Sequence, residues 1–209
     1  MPLSFVLIGC AALLTGVVWL VARPAILASY HYNQLVIAAT HLFVLGWICS
    51  VVMGAMYQLV PVALETKLHS ETLAWWQMLF HVAGFIGMVW MFYTWNMKQV
   101  GHFGSVLALG VGLFVYNLIR TLRRVPRWNV TASAVTAALL WISLTVTAGL
   151  LLALGKCAYD ADGLPIATTS HGFVGWLLQL GRFMSRFDAI SAMHAHAHLG
   201  GVGLFTMLI

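Results

Sequence analysis

The sequence predicts an all-α protein, a polytopic bundle of transmembrane helices. Three observations carry this. Apolar residues make up 62% of the 209-residue chain and charged residues only 7%, far more apolar surface than a soluble domain needs. The apolar residues fall into long runs, each near the roughly 20 residues that a helix needs to cross a bilayer. The charges gather between those runs, which leave no space for a separate soluble domain. Residues 1–209 therefore read as a single transmembrane helical domain.

About six runs meet the length criterion. The first is roughly Leu3 to Ala22, closed by Arg23-Pro24. The second is Leu35 to Val60, closed by Pro61. The third is Leu73 to Trp95, the fourth Phe103 to Ile119, the fifth Val130 to Leu154 and the sixth Ile190 to Ile209. No basic segment precedes the first run, so a cleaved signal peptide is not expected. The chain stops at Leu208-Ile209 without a closing charge. That ending is read as a fragment's, whose whole would continue into further spans.

The net charge of +5 does not point to nucleic acid, because the basic residues lie in loops and report topology. Arg120, Arg123, Arg124 and Arg127 crowd the fourth loop. A short basic loop stays cytoplasmic, which puts the N-terminus inside as well. The facing loops carry Arg23, Lys98, Lys156, Arg182 and Arg186, so the orientation rests on the density of the fourth loop. A bacterial inner membrane is the expected location and lipid the expected surroundings.

The fifth loop runs from about Gly155 to Asp188. Its first half, Cys157 to Ser170, holds Asp160, Asp162, Gly163 and Pro165 and reads as irregular. Its second half, Gly172 to Phe187, is apolar with two arginines. It suits a helix lying at the outer interface or an ordinary re-entrant segment. Cys10, Cys49 and Cys157 form no CxxC or zinc-like spacing, and the first two sit in apolar runs as small hydrophobes. The methionines form no copper-binding ladder and read as core filling. Trp75, Trp76, Trp90, Trp95 and Tyr57 suit interfacial anchoring.

The chemistry is concentrated in Ala192-Met193-His194-Ala195-His196-Ala197-His198-Leu199-Gly200-Gly201-Val202-Gly203. A helix turns about 100° per residue. His194 and His198 therefore share one face and His196 points away from them. Imidazole is the commonest metal ligand and is costly to bury in lipid without a partner. His194, His196 and His198 are thus metal-ligand candidates, with the trans ligand supplied by another span.

His41 is the leading trans candidate. The second and sixth spans run in the same direction, and both His41 and His198 fall about 10 Å below the outer edge of the hydrocarbon at 1.5 Å per residue. The two segments also resemble each other: His41-Leu42 and His198-Leu199 are each followed by a glycine five positions after the histidine, Gly46 and Gly203. That hints at an internal duplication. Small residues beside the histidines, Ala38, Ala39, Gly200 and Gly201, would admit either a flat macrocycle or a closely packed helix. His81 in the third span would serve a second centre with His196 or His194, or simply bond a backbone carbonyl or Gln77. The plainer role is preferred. His31, His69, His102 and His171 fall in loops as solvated or interfacial residues.

His196-Ala197-His198-Leu199-Gly200-Gly201-Val202-Gly203 resembles the HxH segment of haem-copper oxidase catalytic subunits. The similarity is best to the branch of C-type cytochrome oxidases and nitric oxide reductases. The stretch His41 to Pro61 is similar to the early haem-ligand helix of that branch, which also tends to end in Tyr and Pro. The resemblance implies that His41 and His198 ligate a low-spin haem b and that His196 ligates a second, high-spin haem on the other face. It also implies an N-terminus inside and haems near the outer side. It departs from the family in length: those oxidases have about a dozen spans. The fifth span, Val130 to Leu154, contains no histidine, so the copper-site motifs and a complete catalytic site are missing from this chain.

The leading expectation is a haem b-binding membrane protein of the oxidase-subunit-I type. It would transfer electrons in respiration within or beside a terminal oxidase or nitric oxide reductase, and a cytochrome c-type donor or other oxidase subunits would be its partners. The alternatives are a haem- and copper-binding nitric-oxide-response membrane protein, a non-haem metal transporter, and a structural subunit with hydrogen-bonded histidines. A transporter would want acidic or sulfur ligands along its path, and the spans hold no Asp or Glu.

Overall fold

The computed structural model describes residues 1–157 and 172–204. Among these described residues it is an all-α helical bundle, with five helices long and apolar enough to cross a membrane. Helix α1 is Pro2–Ala22, α2 Gln34–Ala63, α3 Glu71–Tyr93, α4 Met97–Leu122 and α5 Val130–Cys157. Two shorter helices follow, α6 Phe173–Met184 and α7 Ala189–His198, the latter continuing as a π turn over Leu199–Leu204.

Side-chain caps set most of the helix starts. Such a cap satisfies an amide that the first turn leaves without a partner. The Asn33 carbonyl accepts from Leu35 N at 2.8 Å, Ser70 Oγ from Leu73 N at 3.2 Å, Asn129 from Ala132 N at 2.9 Å and Asp188 from Ser191 N at 2.7 Å. Two expected boundaries move. Pro61 does not close the second span, which runs on to Ala63 with Pro61 inside its last turn. Pro61 lacks the amide that would bond Tyr57 O, and the helix ends two residues further on. The fourth span starts at Met97 rather than Phe103, because Asn96 caps it there. The interfacial segment after Gly172 is helical as α6 and packs on α5. The expected irregular stretch Cys157–Ser170 lies, beyond Cys157, outside the described residues, as do His171 and the last part of the sixth run.

Glycines let the helices touch. A Cβ on Gly84 would stand 2.6 Å from Leu107 N, and one on Gly110 would stand 3.0 Å from His81 N, so α3 and α4 meet backbone to backbone. Helix α1 runs antiparallel along α2, with Gly9 against Val51 and Trp47, and Gly54 against Phe5. In lipid there is little hydrophobic force between helices, and such close approach is what holds them. The main core gathers Phe5, Met53, Tyr57, Phe114, Leu118 and Leu139, in the half that holds the Arg120–Arg127 loop. The other half, where the histidine-bearing segments lie, is held by smaller clusters around Leu42, Phe85 and Leu107, and around Ile37, Ala38, Phe92 and Val100.

Candidate functional site

Helix α2 is not uniform. It is α-helical from Gln34 to His41, widens into a π turn over Leu42–Cys49, and returns to α-helix at Ser50. Helix α7 repeats the pattern: α-helix ends at His198 and a π turn follows over Leu199–Leu204. The two His-Leu pairs that suggest a duplication in sequence thus fall at the same backbone transition. Such π turns are rare and often mark functional positions.

The two histidines are also held alike. His41 Nδ1 lies 2.8 Å from Ile37 O, and His198 Nδ1 lies 2.8 Å from His194 O, four residues back in each case. A carbonyl only accepts, so the proton sits on Nδ1 and the Nε2 lone pair is left free. That is the tautomer a metal-ligating imidazole takes, with its other nitrogen tied to a carbonyl. The His41 ring also rests on Phe92, with ring centroids 4.5 Å apart.

His196 is turned away from His194 and His198, as helical spacing predicts. Its Nδ1 lies 3.0 Å from Thr145 O on α5, and its ring sits where a Cβ on Gly149 would meet it at 3.0 Å. Its Nε2 is free by the same reasoning. It lines an apolar groove of about 370 Å³ between α5, α6 and α7. His196 also lies within electrostatic range of His41. His194 and His198 are exposed, and His194 faces His31, with ring centroids 5.3 Å apart. The four candidates His41, His194, His196 and His198 therefore do not converge on one ion. Among the described residues no group of three or more His, Cys, Asp and Glu is placed to hold a metal.

The small residues divide by role. Gly200 and Gly203 pack on α5, where a Cβ would meet Thr145 at 3.2 Å and Trp141 at 2.5 Å. Ala38 and Ala39 are buried in the helix packing. Gly201 differs: nothing lies within 4 Å of where its Cβ would be. It stands one turn after His198, on the open side of the segment.

His81 takes the plainer of its two expected roles. It is fully buried, with Nε2 3.2 Å from Leu45 O and 3.0 Å from Ser50 Oγ. The wide turn of α2 leaves the Leu45 carbonyl accessible, and His81 donates to it. Its Nε2 is thus held by the backbone, while the buried Nδ1 has no hydrogen-bond partner. Gln77 does not share in this; its Nε2 points to Met53 Sδ at 3.2 Å.

Several supporting contacts were not foreseen from the sequence. Asn117 clamps the turn before α3, accepting from Ser70 N at 3.0 Å and donating to Ser70 O at 2.8 Å. The Thr145 carbonyl that orients His196 and the proximity of His31 to His194 belong here too. An isolated Asn or Gln inside an apolar run is the one signal that could have flagged the first.

No protein-family model, curated protein or solved structure matches the chain.

Proposed function

We propose that the chain is a haem b-binding integral membrane protein, similar to the haem-ligating part of oxidase subunit I, and that it carries electrons in a respiratory membrane. His41 and His198 are the axial pair. One observation supports this above the others: both histidines end an α-helical stretch ahead of a π turn, and both spend Nδ1–H on a carbonyl four residues back, leaving Nε2 free. The open position at Gly201, one turn after His198, leaves that side of the α7 segment uncrowded.

A haem held there would supply one-electron chemistry, with His41 and His198 as the residues that would hold it. The chain's own residues would do the rest. Ile37 O and His194 O fix the two ring orientations, and Phe92 supports the first ring. His81 ties the wide turn of α2 to α3 and keeps His41 in register. In this reading the Arg120–Arg127 loop and the N-terminus face the cytoplasm, the membrane is a bacterial inner membrane, and the partners are a cytochrome c-type donor or other oxidase subunits.

A second reading, the nitric-oxide-response protein, needs an iron with an open axial position. His196 is the residue that would serve it, because its ring is oriented by Thr145 O and borders an apolar groove. Copper belongs with this reading, whereas a second haem at His196 is part of the oxidase-like one.

Haem content of the purified chain and its variants separates these. Under the proposal, His41→Ala and His198→Ala each lose most of the bound haem, while His102→Ala keeps it. Unchanged haem and spectrum in both variants would rule the axial pair out. Retention in both but loss in His196→Ala would favour the second reading.

A further inference from the structure

His31 and His194 come from different parts of the chain. His31 lies in the connection ahead of α2, and His194 is midway along α7. Both are exposed, their ring centroids are 5.3 Å apart, and their planes are tilted by 34°. Tyr30 backs His31 with ring centroids 4.2 Å apart, which limits where that ring can turn. Neither residue belongs to the axial pair proposed above.

The separation is informative. With metal–nitrogen bonds of about 2.0–2.1 Å and a tetrahedral angle between ligands, two imidazoles on one ion place their ring centroids about 5 Å apart. The observed spacing matches that arrangement. It also lies within the roughly 4.5–7 Å of ordinary tilted ring contacts, so the spacing admits an ion between the rings without requiring one. Imidazole nitrogens select borderline divalent ions over magnesium or calcium, which prefer oxygen.

A carboxylate stands close by. Asp188 caps α7 through its bond from Ser191 N at 2.7 Å, and the hydrogen bonds from Ser191 hold its carboxyl below the usual range. Its negative charge favours a cation at His194.

We propose that His31 and His194 form a divalent transition-metal site of the zinc class, with two protein ligands and water in the remaining positions, clipping the segment before α2 to helix α7. The site is open and shallow, as expected where no third His, Cys, Asp or Glu joins it among the described residues. By bridging the two segments that carry His41 and His198, the ion would fix their spacing. The site itself does not depend on whether haem binds.

The test is zinc binding to the purified full chain, with no histidine tag, by isothermal titration calorimetry in detergent. Cobalt(II) then serves as an optical reporter of tetrahedral ligation. The expected result is one ion per chain, at least ten-fold weaker in His31→Ala and in His194→Ala, and unchanged in His102→Ala. Both target side chains are exposed, so the fold should survive either change, and unaltered helical circular dichroism checks this. Binding that is unaffected by the two variants would overturn the site. So would binding that is lost only with His196→Ala or His198→Ala, which would place the ion elsewhere on α7. Haem content measured in the same preparations keeps failure of this site distinct from failure of the haem reading.

Discussion

His41 and His198 occupy equivalent positions in two separate helices. Each is the last α-helical residue before a π turn, and each holds its Nδ1 2.8 Å from the carbonyl four residues earlier. A lone histidine in an apolar helix can bond a carbonyl simply to satisfy itself. Two doing so at the same transition leave both outer nitrogens free, the tautomer that the proposed ligand role needs.

Gly201 and Gly203 differ in what surrounds them: nothing borders the first, and the Trp141 ring borders the second. Gly201→Leu should lower haem content several-fold while helical content and stability stay near those of the parent, because nothing borders that position. Gly203→Ala should instead destabilise the protein by about 1–3 kcal/mol through overpacking, since its Cβ would meet the Trp141 ring at 2.5 Å. Equal effects of the two on haem and on stability would contradict this division. Spectral titration and denaturant unfolding in mixed micelles provide the readouts.

His81→Ala should destabilise by roughly 1–3 kcal/mol for the lost bond to Leu45 O and the cavity left by a fully buried ring. It should keep the haem, because His81 holds Leu45 O at 3.2 Å and is not placed as a ligand. Loss of haem without loss of stability would return His81 to the list of ligands.

Gly84→Ala tests the α3–α4 contact. Its Cβ would stand 2.6 Å from the Leu107 backbone, which cannot yield as a flexible side chain would. A cost of about 1–3 kcal/mol is expected. A neutral substitution would show that the two helices are further apart than described.

His69, in the turn before α3, should titrate below the ordinary histidine value. Burial of its ring is the main cause, and the nearby Arg124 and Arg120 add to it. The fold therefore favours neutral His69. Its contribution to stability is full above about pH 6.5 and is lost as pH falls through the lowered folded value. Histidine NMR resonances followed with pH check this, and Arg124→Ala should move the value back up. Titration at the ordinary value would contradict it.

The helices were largely legible in the sequence because lipid imposes one rule on length and composition, and Asn33, Ser70, Asn96 and Asn129 mark where the runs begin. Pro61 misled because the helix continues two residues past it to Ala63. The opposed faces of His196 and His198 followed from helical geometry alone. The π turns did not, since neither His-Leu pair differs locally from an ordinary helix and the widening depends on what packs alongside, such as His81 on Leu45. Nor could the sequence show that His194 meets His31, or that His196 meets Thr145, because which helices are neighbours is a tertiary fact.

The most direct measurement is the dithionite-reduced minus oxidised optical spectrum of the purified full chain in detergent, with a pyridine haemochrome assay for stoichiometry. The account predicts a sharp reduced α-band of the low-spin b type at about one haem per chain, lost when His41 or His198 is replaced. A chain that carries no haem after expression with ample haem supply would contradict it.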